Sequence, residues 1–496
     1  MKMRAATLVL AFVVSPAVHA QEEHHSHPAP EKLGSVTFAT SCNPAVKSKF
    51  ERALALLHSF AYTASEQAFR DVADQDRRCA IAHWGIAMSL FHQLWDPPAG
   101  EHLREATSQV RIAADLHARS ARERQYIDAL DQYYRDSEHL DHGARAERYA
   151  LAMAGVARDN PHDAEAQIFY ALALIATAPP TDKSHGHQKR AADILEPIYR
   201  RQPQHPGLAH YLIHACDSAE LAPRGLAAAR AYAKIAPSVP HALHMPSHIF
   251  TRLGVWDDSI ASNLAARAAA HDQGDVGEEL HAMDYLTYAY LQSGRYADAK
   301  QVVDGLRSMH ELSAAEFKVG YAATAMPIRI AVETRQWQDA AALQPLPHSP
   351  PQVRALVFWA RALGQARNGA GHAADAEIDQ LQSCLVELQS SGNKYWTVQV
   401  DALLQEAQGW RYAALSDPEA AVLSLRSAAD EEDSVEKLPL TPGPVVPARE
   451  QLGELLLQLK RPEQALREFQ TVLTLAPRRR GAMLGELAAA GQLTRD

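Results

Sequence analysis

The stretch His205-Pro206-Gly207-Leu208-Ala209-His210-Tyr211-Leu212-Ile213-His214 returns in altered form as Pro240-His241-Ala242-Leu243-His244-Met245-Pro246-Ser247-His248-Ile249-Phe250. His210 and His214 recur as His244 and His248, an offset of 34 residues. That offset is the period of a stacked helix–turn–helix repeat. Within each copy the i, i+4 spacing puts both imidazoles on one helix face, about 6 Å apart along the axis. Stacked repeats hold equivalent helices about 8 to 10 Å apart, so both pairs should face one groove. A chain without a single catalytic signature can build a metal site in this way.

Outward from this pair, apolar-periodic segments of roughly 12 to 16 residues alternate with breaks at Pro or Gly from Pro44 onward. Ala, Leu, Arg, Glu and Gln abound and β-branched runs are scarce, which predicts an all-α chain. Over 446–477, Gly453, Ala465 and Pro477 fall at spacings of 12 and 12. Gly453 and Ala465 let two helices approach closely, and Pro477 ends the second. Gly254-Val255-Trp256 and Gly294-Arg295-Tyr296-Ala297-Asp298-Ala299 follow the same pattern, with Ala299 at the small position. On these residues the chain resembles the tetratricopeptide-repeat superfamily over 45–310 and again over 446–485. The two histidine segments are similar to those of exported bacterial tetratricopeptide proteins with no established biochemical role. The resemblance implies a right-handed α-solenoid of helix pairs. The expected organisation is a signal peptide at 1–20, a disordered His- and Pro-containing tail at 21–44 and a solenoid with a histidine-lined concave face at 45–310. Degenerate helical repeats at 311–437 and a C-terminal repeat with a Pro-rich lead-in at 438–496 follow.

Lys2 and Arg4, the apolar run from Ala5 to Val14 and the Val18-His19-Ala20 site have the layout of a cleaved secretory signal, so a periplasmic or secreted protein is expected. No later apolar run reaches the roughly 18 residues of a membrane span, and none is expected. A formal charge of −10 argues against nucleic acid as a partner. Cys42 lies just before one predicted helix and Cys79 just after the next, ends that meet in an antiparallel pair. A disulfide there would be worth about 4 kcal/mol in the chain-entropy view; two separately buried thiols are the alternative. Arg478, Arg479 and Arg480 read as a solvated basic end.

The resemblance also orients the histidines. With the turn at Gly254 as anchor, His241, His244 and His248 take groove-facing positions of one inner helix; one period earlier so do His210, His214 and Asp217. Anchoring on Gly294 adds His281, Asp284 and Tyr288. Imidazole and carboxylate together suit zinc, copper or iron. His210, His214, His244 and His248 are the expected primary ligands, with Asp217, His241, His281 and Asp284 completing or orienting them. Tyr288 is the expected contact to a bound water or substrate. A groove would leave room for a small-molecule substrate, and whether the chain is an enzyme stays open. No nucleotide cofactor is expected, because no Gly-rich phosphate loop exists; GxSxG, HExxH and CxxC are absent too. The rival reading is a non-enzymatic scaffold that binds a peptide or protein in the cell envelope, its histidines serving as contacts or a pH sensor. Pro246, between His244 and His248, either kinks their helix or marks its true start.

Overall fold

Helix follows helix through the computed structural model of the chain, which describes residues 31–494 apart from 95, 310, 311 and 315. The expected signal peptide at 1–20 and the first part of the tail, 21–30, lie outside the described residues. No strand occurs among those described, and no helix among them is long and apolar enough to cross a membrane.

From Lys47–His58 to Arg480–Leu493, each helix packs on its neighbours in chain order, as an α-solenoid requires. The pair Ala448–Gln458 and Pro462–Leu475 shows why the small residues matter. A Cβ on Gly453 would lie 2.8 Å from the Phe469 ring, Ala465 is fully buried, and the second helix stops at Leu475, ahead of Pro477. Gly254 and Gly294 take φ of +65° and +76° at the turns between paired helices, a region that glycine enters without strain. The weakly patterned stretch 311–437 continues the stack, with Trp337–Ala342 as a short second helix before the proline-rich break.

Two segments depart from the expected organisation. Residues 31–43, the described end of the stretch read as a disordered tail (21–44), run without regular secondary structure into a short 3-10 turn at Pro44–Val46. Ser35 donates its amide to the Gln204 carbonyl at 2.9 Å. Phe38 is fully buried, with Phe50, Trp84 and Tyr126 rings 5.2, 6.2 and 5.5 Å away. Three apolar side chains in this short polar stretch anchor it together with the disulfide at its end: Leu33, Val36 and Phe38 are all buried. Cys42 and Cys79 are joined by a disulfide. The second departure is the proline-rich segment 433–447, which lies against the inner helices as a strap rather than serving as a simple lead-in. Arg329 donates to the Gly443 and Pro444 carbonyls at 3.1 Å each, Tyr285 Oη donates to the Thr441 carbonyl at 2.9 Å, and Lys437 reaches Asp217 at 2.9 Å.

Arg479 is also not solvated. It is fully buried, donating to Glu450 at 2.6 Å and Glu333 at 2.7 Å, because the last repeat packs its turn against the Val276–Gln292 region.

Candidate metal centre

Four helices bring six histidines together. Pro206–Ala215 carries His210 and His214; Pro240–His244 carries His241 and His244; Pro246–Arg252 carries His248; Val276–Gln292 carries His281. Pro246 opens a new helix, since its missing amide cannot bond the preceding turn. Met245 at the junction keeps helical angles, φ −52° and ψ −36°, so the direction of the chain is preserved. His244 Nε2 and His248 Nε2 accordingly stay 3.0 Å apart.

The rings form two sets of three. In the first, His210 Nε2 lies 3.1 Å from His214 Nε2 and 3.2 Å from His241 Nε2. In the second, His244, His248 and His281 present nitrogens within 4.8 Å of one another. The sets adjoin: the rings of His214 and His248 are 6.1 Å apart, and those of His241 and His244 are 6.3 Å apart.

Hydrogen bonds at the far nitrogens decide the tautomers. His210 Nδ1 donates to the His58 carbonyl at 2.7 Å, His241 Nδ1 to Glu278 at 3.2 Å, and His248 Nδ1 to Asp217 at 2.9 Å. His244 Nδ1 donates to Asn263 Oδ1 at 2.7 Å; the Asn263 amide is oriented by its own donation to the Ser259 carbonyl at 2.8 Å. With the proton on Nδ1, a neutral ring carries its lone pair on Nε2. His210 therefore aims a lone pair at that of His241, and His244 aims one at that of His248. Such contacts repel unless a positive charge sits between them, either a proton or a metal ion. A tetrahedral ion with bonds of about 2.0 to 2.1 Å holds its nitrogens about 3.3 to 3.4 Å apart, close to these separations. A bridging proton would need imidazolium in a dry setting. Burial, with the neighbouring histidines, holds His210, His214, His244 and His281 well below the ordinary imidazole range. Burial lowers His248 to about 4 even though Asp217 opposes it.

The same test rejects two other clusters. His58 and His205 each donate Nε2–H to one oxygen of Glu165, both at 2.8 Å, so their protons face the carboxylate and no lone pairs converge. Burial alone would raise Glu165, but His58 and His205 hold it far below the usual carboxylate range. This cluster props the first histidine set through the His58 carbonyl. Near Asp76, the sulfurs of Cys42 and Cys79 are bonded to each other.

The expected carboxylates stand behind the rings or apart from them. Asp217 orients His248 and is pinned by Lys437 and Arg252, both at 2.9 Å. Asp284 pairs with Arg329 at 2.7 Å, outside both sets. Tyr288 accepts from Arg479 at 3.2 Å and lines a separate cavity. Tyr285 takes the place expected of Tyr288, its ring 4.8 Å from those of both His244 and His248. Phe60 covers the first set, 4.3 Å from the His210 ring. Glu278, shared between His241 and Lys318, and Asn263 also escaped the sequence reading. The one signal for Glu278 was its place one helical turn before His281. All six histidines are at most 6% exposed, so the open groove expected at this point is closed over by Phe60 and the strap.

No family model matches the chain, and no curated protein matches it. Solved structures resemble it at low identity. The APC/C hetero-tetramer Cut9–Hcn1 is 12% identical over 91% of this chain and 76% of that one, with a TM-score of 0.39. Yeast Tom70 is 10% identical over 90% of this chain and 95% of that one, with a TM-score of 0.38. The P58(IPK) TPR domain is 11% identical over 91% of this chain and 99% of that one, with a TM-score of 0.24.

Proposed function

We propose that the chain is an exported metalloprotein that holds a transition-metal ion in each of two adjoining three-histidine sets on the inner face of a tetratricopeptide solenoid. One observation carries the reading: in each set, two rings whose Nδ1–H groups are engaged by oxygen acceptors converge through Nε2 lone pairs, His210 with His241 at 3.2 Å and His244 with His248 at 3.0 Å. Carbonyl, amide and carboxylate partners behind ligating imidazoles are the usual way such rings are oriented. Zinc, copper and iron all suit three imidazoles; iron and copper would add redox chemistry, zinc only polarisation. The Cys42–Cys79 disulfide supports an oxidising compartment and so the export signal read at 1–20. His281 and His214 complete the sets, while Asp217 and Glu278 orient rings.

The scaffold reading has the support of the fold class, whose members commonly hold protein partners. It predicts no bound metal. Elemental analysis of the mature chain from Gln21, beside a His210→Ala/His244→Ala double variant, separates the two. Stoichiometric metal that disappears in the variant is the expected result. A wild-type protein that is empty and refuses added zinc, copper and iron would overturn the metal centre and leave the scaffold.

A further inference from the structure

A cavity of about 160 Å³ lies between the Pro351–Arg367 and Lys394–Ala414 helices and the strap, remote in its chemistry from the histidine sets. Its cations are already committed. Arg252 and Lys437 hold Asp217, Lys183 holds Glu436 at 2.7 Å, and Arg449 is bound to Glu468 and Asp430, both at 2.9 Å. Of its carboxyls, Asp433 and Glu436 are paired with these cations, whereas Glu406 and Glu432 make no ion pair among the described residues. Glu406 is 1% exposed; its Oε2 accepts from Trp359 Nε1 at 2.7 Å and Gln451 Nε2 at 2.6 Å. Its Oε1 is buried with no hydrogen-bond partner. Glu432, also lining the cavity, accepts from the Ala448 amide at 3.2 Å. Burial pushes Glu406 up to about 8, and burial with Glu406 nearby pushes Glu432 up as well, against the opposing pull of Arg479.

The wall beside them is aromatic: the Trp396 ring lies 6.0 Å from Tyr321 and 5.2 Å from Tyr395. Electron-rich faces beside an unsatisfied carboxyl attract organic cations. The volume is close to that of the roughly 150 Å³ cavity known to hold benzene. We propose that this cavity binds a small aromatic or aliphatic amine, its ammonium on Glu406 Oε1 and Glu432 and its apolar body against Tyr321, Tyr395 and Trp396. An entering ammonium replaces the proton on Glu406, which is released to solvent, and gives Oε1 its missing donor. An anionic ligand finds no free cation there.

Benzylamine tests the assignment, with benzyl alcohol and benzoate as the neutral and anionic comparisons, each titrated into the full mature chain and read by tryptophan fluorescence and thermal midpoint. Benzylamine should bind saturably, and each comparison should bind about tenfold more weakly or worse, the loss of a charge-assisted hydrogen bond. Glu406→Gln keeps the shape and the Trp359 and Gln451 contacts and should weaken benzylamine by about tenfold, leaving benzyl alcohol unchanged. Glu432→Gln provides the same reading should Glu406→Gln fail to fold. Absent benzylamine binding, equal binding of the three probes, or indifference to both substitutions would overturn the proposal. None of these outcomes depends on metal content.

Discussion

Asp217→Asn tests the division between ligating and orienting residues. The carboxylate serves three donors at once: His248 Nδ1, Lys437 Nζ and Arg252 Nε, all at 2.9 Å. Burial alone would raise Asp217, but Lys437, Arg252 and His248 hold it well below the ordinary range, so it is a full anion at neutral pH. An asparagine has one acceptor oxygen: turned one way its NH2 group faces Arg252 and the oxygen stays with His248 and Lys437, turned the other way the NH2 group faces His248 and Lys437 together. Two effects follow. Lys437 and Arg252 lose their buried countercharge, which costs about 3 to 5 kcal/mol of stability. His248 keeps only a neutral acceptor in the first orientation and none in the second, which weakens metal by up to about 10- to 100-fold, or roughly 1.4 to 2.7 kcal/mol. The second loss should fall on the His244–His248–His281 set alone, because the His210 and His241 rings are held by the His58 carbonyl and Glu278. Chelator competition at neutral pH, with bound metal counted by mass spectrometry, should show one ion weakened and the other unchanged. Adding Lys437→Met removes the extra cation and should restore much of the stability without restoring affinity. Affinity unchanged for both ions, or recovered along with stability in the double variant, would refute the orienting role.

Glu165→Gln should cost roughly 1 to 3 kcal/mol at neutral pH, because His58 and His205 lose a charged acceptor. Glu165 is held below its ordinary value of 4.5, so its contribution is complete above that pH and drains as pH falls below it, by about 1.4 kcal/mol per unit; urea midpoints at decreasing pH should show that slope in wild type and not in the variant. Gly207→Ala would set a Cβ 2.6 Å from His58 Nδ1, so overpacking should cost about 1 to 3 kcal/mol and loosen metal in the first set, where Gly155→Ala, with open space around it, should do neither. Reduction of Cys42–Cys79 should lower stability by about 4 kcal/mol or less and make 31–42 the first site of limited proteolysis, read by N-terminal sequencing; an unchanged cleavage pattern would show that Phe38 and its neighbours hold the segment unaided.

The repeat period made the helix pairs and the six histidines legible, because residues 34 apart occupy equivalent helix faces and i, i+4 neighbours share one. The same arithmetic shows why Asp284 and Tyr288 were misplaced. Both were assigned by register to the face of His281, on a helix that is buried on nearly every side from Glu279 to Gln292. Asp284, at i+3, is rotated back towards Arg329, and Tyr288, at i+7, lies about 10 Å further along the axis, opposite a different cavity. Tyr285, at i+4, stays beside the rings. His58 was invisible for another reason: it supports the site through its main-chain carbonyl, a group every residue possesses. The strap has no periodicity at all, and its contacts are largely made by main-chain carbonyls, so no residue pattern could announce them.

That strap bears on how the solenoid can be used. A peptide seeking the inner face at the histidines would have to displace 433–447, breaking the Lys437–Asp217 pair, the Tyr285–Thr441 bond and the two carbonyl bonds from Arg329. A covalently attached segment competes at an effective concentration on the order of millimolar, so a weakly bound peptide in free solution loses to it. The buried hydrogen bonds add roughly 1 kcal/mol each to that barrier. On the scaffold reading a partner protein would be confined to surfaces the strap leaves bare, where large exposed apolar side chains include Leu151 on His142–Asp159, 78% exposed, Leu423 on Pro418–Glu432, 70% exposed, and Leu487 on Arg480–Leu493, 69% exposed. On the metal reading the inner face is left to ions and small ligands, and the strap and Phe60 keep the rings with converging lone pairs out of water.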